Sequence, residues 1–482
     1  MSNTDLTFTA DDDLRLNEPE ADVSDPHPLL TGAISTQFVK LAFPIIIALL
    51  INGLYSFVDA VFITRGVGVN AMASVSAVFP ISMFIISVSA MLGSGMASII
   101  SRRLGSGDKQ GASQVFCSSL VFAMSLGLLL SVLIYLLREP IYTLLALPTI
   151  LLADADTYLL PILLVTVVSF ISGTLTESFR ASGKPMDMMK VMLLGSALNV
   201  TFDALFIFGF GWGVAGAAWA TVLAMLFSFS LAVRLQLCGK DRLKIVPQYL
   251  RFDLNVHKRV LGLGFPIFLS HSGFAFTIAV TIFAVTKYSG DQASLLISAH
   301  GLLIRSFMLL FLPLLGMTIA LQTLAGFNYG AGQLARVKQS LLTAIAIGTV
   351  WTTFVTLLLV LRPQWLFSLF TADLALVETA SGISSIVFIG FFSVAAGMMC
   401  SAIFQAMGKA LPAMLLESGR TYLLLLPMIL LLPSTLGVDG IWWAFPLTDA
   451  IGVTLTVLFT WYYFAKRLEK IKPVLRGGNT GV

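Results

Sequence analysis

Apolar residues fill the chain in long, nearly uninterrupted runs. Gly, Pro and small groups of charges break them, not the one-sided alternation of a soluble amphipathic helix. A run of about 20 apolar residues is what a helix needs to cross the hydrocarbon of a bilayer. The pattern predicts twelve such spans, near 38–63, 72–99, 113–137, 155–177, 187–209, 213–234, 260–285, 293–325, 340–361, 376–400, 411–433 and 438–464.

The pattern also repeats. Phe179-Arg-Ala-Ser-Gly-Lys184 returns as Phe404-Gln-Ala-Met-Gly-Lys409, and Gly213-Val-Ala-Gly-Ala-Ala-Trp219-Ala220 returns as Gly437-Val-Asp-Gly-Ile-Trp-Trp443-Ala444. Phe43-Pro44 against Phe265-Pro266 fits nearly the same shift. The chain therefore reads as a duplication with a period of roughly half its length. Six spans is an even number, so both halves enter the membrane from the same side and form parallel repeats. The fold class expected is an all-α integral membrane protein, with two six-helix lobes, N and C, around a central cleft.

Composition agrees and adds orientation. The chain has 482 residues, 57% hydrophobic and only 11% charged, with a mean hydropathy of +0.91, which excludes an ordinary soluble domain. A net charge of +4 is no nucleic-acid footprint; where the charges sit matters more. With the N-terminus inside, the cytoplasmic loops hold Arg102, Arg103, Lys109, Arg180, Lys184, Lys190, the patch from Arg234 to Arg259, Arg336, Lys338 and Lys409. The outer loops hold Arg65, Arg138, Lys287 and Arg362. That bias predicts a multi-pass protein of the plasma membrane with both termini cytoplasmic.

The expected domains are a disordered acidic tail (1–34), an N-lobe (35–234), a cytoplasmic linker (235–259), a C-lobe (260–466) and a basic tail (467–482). The first 30 residues have no basic start or apolar run, so they are no signal peptide. Asp11-Asp-Asp13 reads as a solvated charge run, not a metal motif. Cys117, Cys238 and Cys400 are scattered and support neither a disulfide framework nor a zinc site. No Asp-rich motif repeats beside a span, which argues against an intramembrane enzyme of the prenyltransferase kind. No cofactor is implied, only a transported Na⁺ or H⁺. The expected partners are small-molecule substrates and the lipid bilayer, without nucleic acid, and a monomer is expected for a two-lobed carrier.

Ionisable groups at membrane depth are costly and mark candidate function. At about 1.5 Å of rise per residue, Asp59 lies roughly 28 Å up span 1, and Asn199 and Asp203 lie about 20 to 27 Å up span 5. Thr221 falls about 12 Å below the outer end of span 6. All four converge on the outer half of one lobe. Two carboxylates, an amide and a hydroxyl make an oxygen set suited to a small hard cation, and adjacent carboxylates also favour proton uptake. The competing reading has Asn199 and Asp203 capping span 5 while Asp59 pairs with Arg65, but six residues separate that pair and they share no helix face. The repeat partners of Asp59 and Asp203 fall near Thr281 and Met428, so coupling chemistry is expected in the N-lobe alone.

The second half carries His271, Arg305, Arg420 and Asp449, each about 15 to 18 Å into its span, with Glu417 one turn from Arg420. Arg420 and Asp449 read as a buried ion pair, and the set as a C-lobe polar network serving either structure or binding. Pro44, fifteen residues before Asp59, fits either a gating kink or a harmless place in the first helical turn. Residues 267–285 contain no acid.

An ordered set of motifs resembles the multidrug and toxic compound extrusion (MATE) transporters. It comprises Phe57-Val58-Asp59, Arg103-Leu-Gly-Ser-Gly-Asp108, Arg180-Ala-Ser-Gly-Lys-Pro185, Asn199-Val-Thr-Phe-Asp203 with Phe206-Ile-Phe-Gly209, and Gly213 to Thr221. Gln322, Gly326-Phe-Asn-Tyr-Gly-Ala331 and Arg336 complete it. The resemblance covers about 35–470. It implies a V-shaped pair of lobes that exports varied, often cationic and lipophilic compounds in exchange for inward Na⁺ or H⁺. In the DinF-like branch, the positions matching Asp59, Asn199, Asp203 and Thr221 form the coupling site, and span 1 is thought to bend at the residue matching Pro44. Some relatives use a Glu in span 7, which this sequence lacks. The wider multidrug/oligosaccharidyl-lipid/polysaccharide flippase superfamily makes a lipid-linked oligosaccharide flippase the alternative.

Overall fold

The computed structural model describes residues 27–144, 147–239 and 242–476. Every regular element among them is helical. The N-lobe holds α1 (Ile34–Gly66), α2 (Val69–Gly105), α3 (Lys109–Leu144), α4 (Thr149–Ala181), α5 (Pro185–Asp203) and α6 (Gly213–Cys238). The C-lobe holds α7 (Leu254–Tyr288), α8 (Ala293–Gly330), α9 (Leu334–Leu361), α10 (Leu374–Val387), α11 (Val394–Ala406), α12 (Ala410–Gly419), α13 (Leu426–Leu431) and α14 (Asp439–Arg476). Eleven spans are long and apolar enough to cross a bilayer, and α10 with α11 forms a twelfth, bent by 52°. The bend falls where Gly390 packs against the Pro446–Asp449 backbone of α14, an approach that a side chain would obstruct.

The lobes pack most closely at one end. There α2 crosses α7 so closely that a Cβ on Gly95 would strike the Val260 carbonyl, and one on Gly264 the Met91 carbonyl. Close approach through small residues is how membrane helices gain packing without a hydrophobic drive. Polar side chains clasp the same seam. The Arg180 guanidinium, 2% exposed, donates to Thr323 Oγ1 at 2.9 Å and to the Ile319 carbonyl at 3.3 Å, both on α8. Its charge is balanced by Glu177 on its own helix. Gln405, which occupies the repeat position of Arg180, mirrors this by donating to Ser94 Oγ of α2 at 3.1 Å. It also donates to Leu263 O of α7 at 2.8 Å, and its own carbonyl accepts from Ser98 Oγ. The duplicated sequence motif is thus a duplicated clasp.

Higher contacts between lobes are apolar: Gly316 against Ile46, Gly53 against Leu312, and Phe84 edge-on to Phe268 at 6.1 Å. Beyond that level the facing helices carry exposed residues, including Phe57, His271, Arg305 and Met308, so the lobes part into a cleft. The closed end carries the loops after α2, α4, α8 and α11; the open end carries those after α1, α5 and α7.

Three expected bounds change. Residues 27–33, assigned above to a disordered tail, dock at the closed end, while 1–26 lie outside the described residues. His27 stacks on Phe327 at 4.5 Å, Leu29 is buried, the Leu29 carbonyl accepts from Asn328, and Gly32 O accepts from Arg336 at 3.1 Å. A ring, an apolar side chain and two satisfied carbonyls give this stretch an anchorage that an acidic tail lacks. The linker is also tied down: Lys244 N donates to Ser113 Oγ, and Gln110 meets Tyr249 OH at 2.6 Å. The C-lobe starts earlier than expected, at Leu254, because Asp253 caps α7 by accepting from the amides of Asn255 and Val256. At the other terminus α14 runs on to Arg476.

Candidate ion-coupling site

Asp59 sits on α1 two turns below its open end, and Asp203 is the last residue of α5. Immediately after it the chain makes one π turn, Ala204–Gly209. Such insertions recur at functional sites because they rotate the following residues out of α-helical register. Here the turn delivers Phe206 and Phe208 to an aromatic layer over the acids. Phe208 packs edge-on to Phe62 of α1 at 5.4 Å, and Phe206 stacks on Trp212 at 5.0 Å.

Beneath that layer Asp203 is fully buried, and its carboxyl group lies close enough to that of Asp59 for the two to interact. Asp59 Oδ1, both Asp203 oxygens and Asn199 Oδ1 are buried and unpartnered among the described residues. The Asn199 amide donates to Thr221 Oγ1 at 3.1 Å, which turns its carbonyl oxygen free. The structure therefore brings together all four residues nominated from the sequence. The set is entirely oxygen, the chemistry that suits a small hard cation. The alternative pairing fails: Arg65 is exposed at the open end with no ion pair to Asp59 among the described residues.

Two residues escaped the sequence reading. Tyr55, one turn below Asp59 on the same face, and Tyr158 of α4 both stand close enough to feel the charge of both acids. The i, i+4 spacing of Tyr55 and Asp59 was the available signal.

In the C-lobe, the equivalent position holds Thr281 and Met428, with Thr448 donating to the Met428 sulfur. It offers no acid. The charged C-lobe residues lie about two turns nearer the closed end, on the equivalent helices. Arg420, first residue of a second π turn (Arg420–Leu425), donates from Nε to Asp449 Oδ1 at 2.9 Å and again from Nη2. Ser270 donates to Glu417 at 2.9 Å. His271 and Arg305 do not join this network among the described residues, contrary to expectation; both are exposed. Pro44 lies in the interior of α1, ten residues past its start, so a place in the first turn is excluded.

The family model MatE matches residues 44–205 and again 266–430, one match on each lobe. The chain belongs to the MatE family. This MatE protein is a membrane transporter and not an enzyme. It is 25% identical over 465 residues to a FAD transporter of Shewanella oneidensis strain MR-1, covering 93% of this chain and 98% of that one. It is 21% identical over 442 residues to the probable multidrug resistance protein YoeA of Bacillus subtilis strain 168, covering 90% and 94%. It is 22% identical over 424 residues to the multidrug export protein MepA of Staphylococcus aureus strain NCTC 8325, covering 88% and 92%. In fold it matches the outward-facing conformation of a multidrug resistance MATE family transporter, with TM-score 0.85 at 24% identity over 92% of this chain and 98% of that one. A MATE structure in the bent conformation gives 0.86 at 24% identity over 93% and 99%.

Proposed function

We propose that this MatE protein is a secondary antiporter that exports drug-like organic compounds in exchange for inward Na⁺ or H⁺. The observation that carries the reading is the Asp59–Asp203 pair with Asn199 beside it, four of whose buried oxygens have no donor among the described residues. Bringing two carboxylates together costs free energy through repulsion and desolvation, and a bound cation or proton relieves both. In this reading Asp59 and Asp203 hold the ion, and Asn199 and Thr221 complete its oxygen shell, with Tyr55 and Tyr158 nearby. The set is the one the DinF-like resemblance implies. With the Lys- and Arg-rich closed end in the cytoplasm, the cleft is open outward, the state in which an external ion enters. Charge neutralisation then removes the electrostatic obstacle to a change in the packing of α1 against α5, and Pro44 gives α1 a place to bend. Multidrug names among the relatives support the substrate side.

The test is export from vesicles under imposed Na⁺ or pH gradients. Asp59→Asn and Asp203→Asn should each abolish gradient-driven export while the protein stays inserted in the membrane. Normal export by both variants rejects the coupling site.

A further inference from the structure

We propose that the C-lobe wall of the cleft recognises an anionic group, a phosphate or carboxylate, on the transported molecule, with Arg305 as its principal ligand and His271 as a second donor. This deepens the reading above by naming a chemical feature of the substrate.

The placement of Arg305 follows from its helix. On α8, Leu309, Leu312 and Gly316 form the stripe that meets α1 of the other lobe, through Gly53 and Ile46. Arg305 continues that stripe, one turn beyond Leu309 toward the open end. The opposite face of α8 is turned into the C-lobe: His300 packs on Trp442 and Phe307 on Phe388 and Phe391. The guanidinium thus projects from the C-lobe toward the N-lobe, at the level where α1 and α8 part. Phe57, 58% exposed, is its counterpart on α1, one turn beyond Gly53.

His271 is placed by the same logic. Val260 and Gly264 face α2, and His271 extends that stripe two turns beyond Gly264, past the Phe84–Phe268 contact. It is exposed, while the other side of α7 is occupied by Tyr422 and Thr421 against Gly273.

The chemistry is that of an unmet charge. Arg305 is exposed, with no hydrogen bond and no ion pair among the described residues. It lies about 18 Å along α8 from the open end, where a cation facing hydrocarbon would be expensive. The other mid-span guanidinium of the lobe, Arg420, is held by Asp449, whereas Arg305 has no such counter-charge among the described residues. A planar fork of donors matches phosphate and carboxylate oxygens, and Phe57 opposite supplies an apolar surface for the rest of the molecule. The N-lobe acids face into their own lobe, behind α1, and do not neutralise it.

The test is equilibrium binding by the full chain in phosphatidylcholine nanodiscs, using riboflavin 5′-phosphate and riboflavin as fluorescent probes that differ by one phosphate. No ion gradient is needed, so a failed coupling site leaves this measurement intact. The parent should prefer the phosphate probe. Arg305→Gln should weaken that probe by about ten- to a hundredfold, the loss of charge-assisted hydrogen bonds, and leave riboflavin unchanged. Arg305→Lys should fall between, and His271→Gln should cost a few-fold. Melting curves matching the parent's confirm that each variant is folded. Equal affinity for both probes, no binding of either, or an unchanged affinity in Arg305→Gln overturns the proposal. Loss of the phosphate preference in phosphatidylglycerol-rich nanodiscs also overturns it, by assigning the site to a lipid headgroup.

Discussion

Replacing Thr323 by Val tests whether the Arg180 clasp holds the closed end shut. Valine matches threonine in shape and changes only the hydroxyl, which is 1% exposed and accepts from Arg180 at 2.9 Å. A hydrogen bond to a charged group contributes about 1.5–3 kcal/mol. The same guanidinium nitrogen keeps the Ile319 carbonyl at 3.3 Å and Glu177 remains beside it, so the lower bound applies. A loss of about 1.5 kcal/mol shifts the ratio of closed-end-shut to closed-end-open molecules about tenfold. Spin labels at Ile150 and Leu374, 76% and 82% exposed at the open ends of α4 and α10 in opposite lobes, report that ratio by double electron–electron resonance. The variant should gain a population with a shorter open-end distance. An unchanged distance distribution would refute the view that this bond stabilises the open-cleft state.

The same label pair should move further with Gly95→Leu. The added side chain meets the Val260 carbonyl, and overpacking of this kind costs about 1–3 kcal/mol; unaltered distances would show that α2 and α7 separate freely. Arg420→Ala should lower thermal stability by about 3–5 kcal/mol, because it strands a 3% exposed Asp449, whereas the double change Arg420→Met with Asp449→Leu should recover most of it. Acid should release the docked N-terminal stretch. Burial, helped by Lys184, holds His27 below its ordinary value. Docking is therefore favoured with a neutral ring, fully present above about pH 6.5 and lost as the pH falls through the lowered value. Amide exchange of residues 29–33 should rise over that window, and His27→Phe should abolish the change.

Most of the helical frame was legible because an apolar run of that length, without a charge to break it, is rarely anything but a membrane helix. What the runs hide is where helices bend: residues 376–400 are largely apolar, and nothing local marks the break that Gly390 makes by packing on α14. Asp59, Asn199, Asp203 and Thr221 were legible because charge and depth are both readable from spacing. Tyr55 and Tyr158 were not, since tyrosine is common near membrane interfaces and signals nothing alone. Arg180 was misread as a loop charge. It lies one residue from the end of α4, and only contact with α8, 139 residues away, makes it buried. Arg305 and His271 were grouped with Arg420 by depth, because depth says nothing of azimuth; the helix face turned to the other lobe separates them.

The seam at the closed end has a further property. Arg180 carries its own counter-charge, Glu177, on the same helix, and across the gap it touches only a hydroxyl and a carbonyl. Gln405, on the duplicate helix, is neutral. Parting the two halves therefore strands no lone ion in a dry interior: water can take over each acceptor as it enters. A door fastened this way unlatches at modest free-energy cost and relatches in the same register, as repeated cycles of transport require.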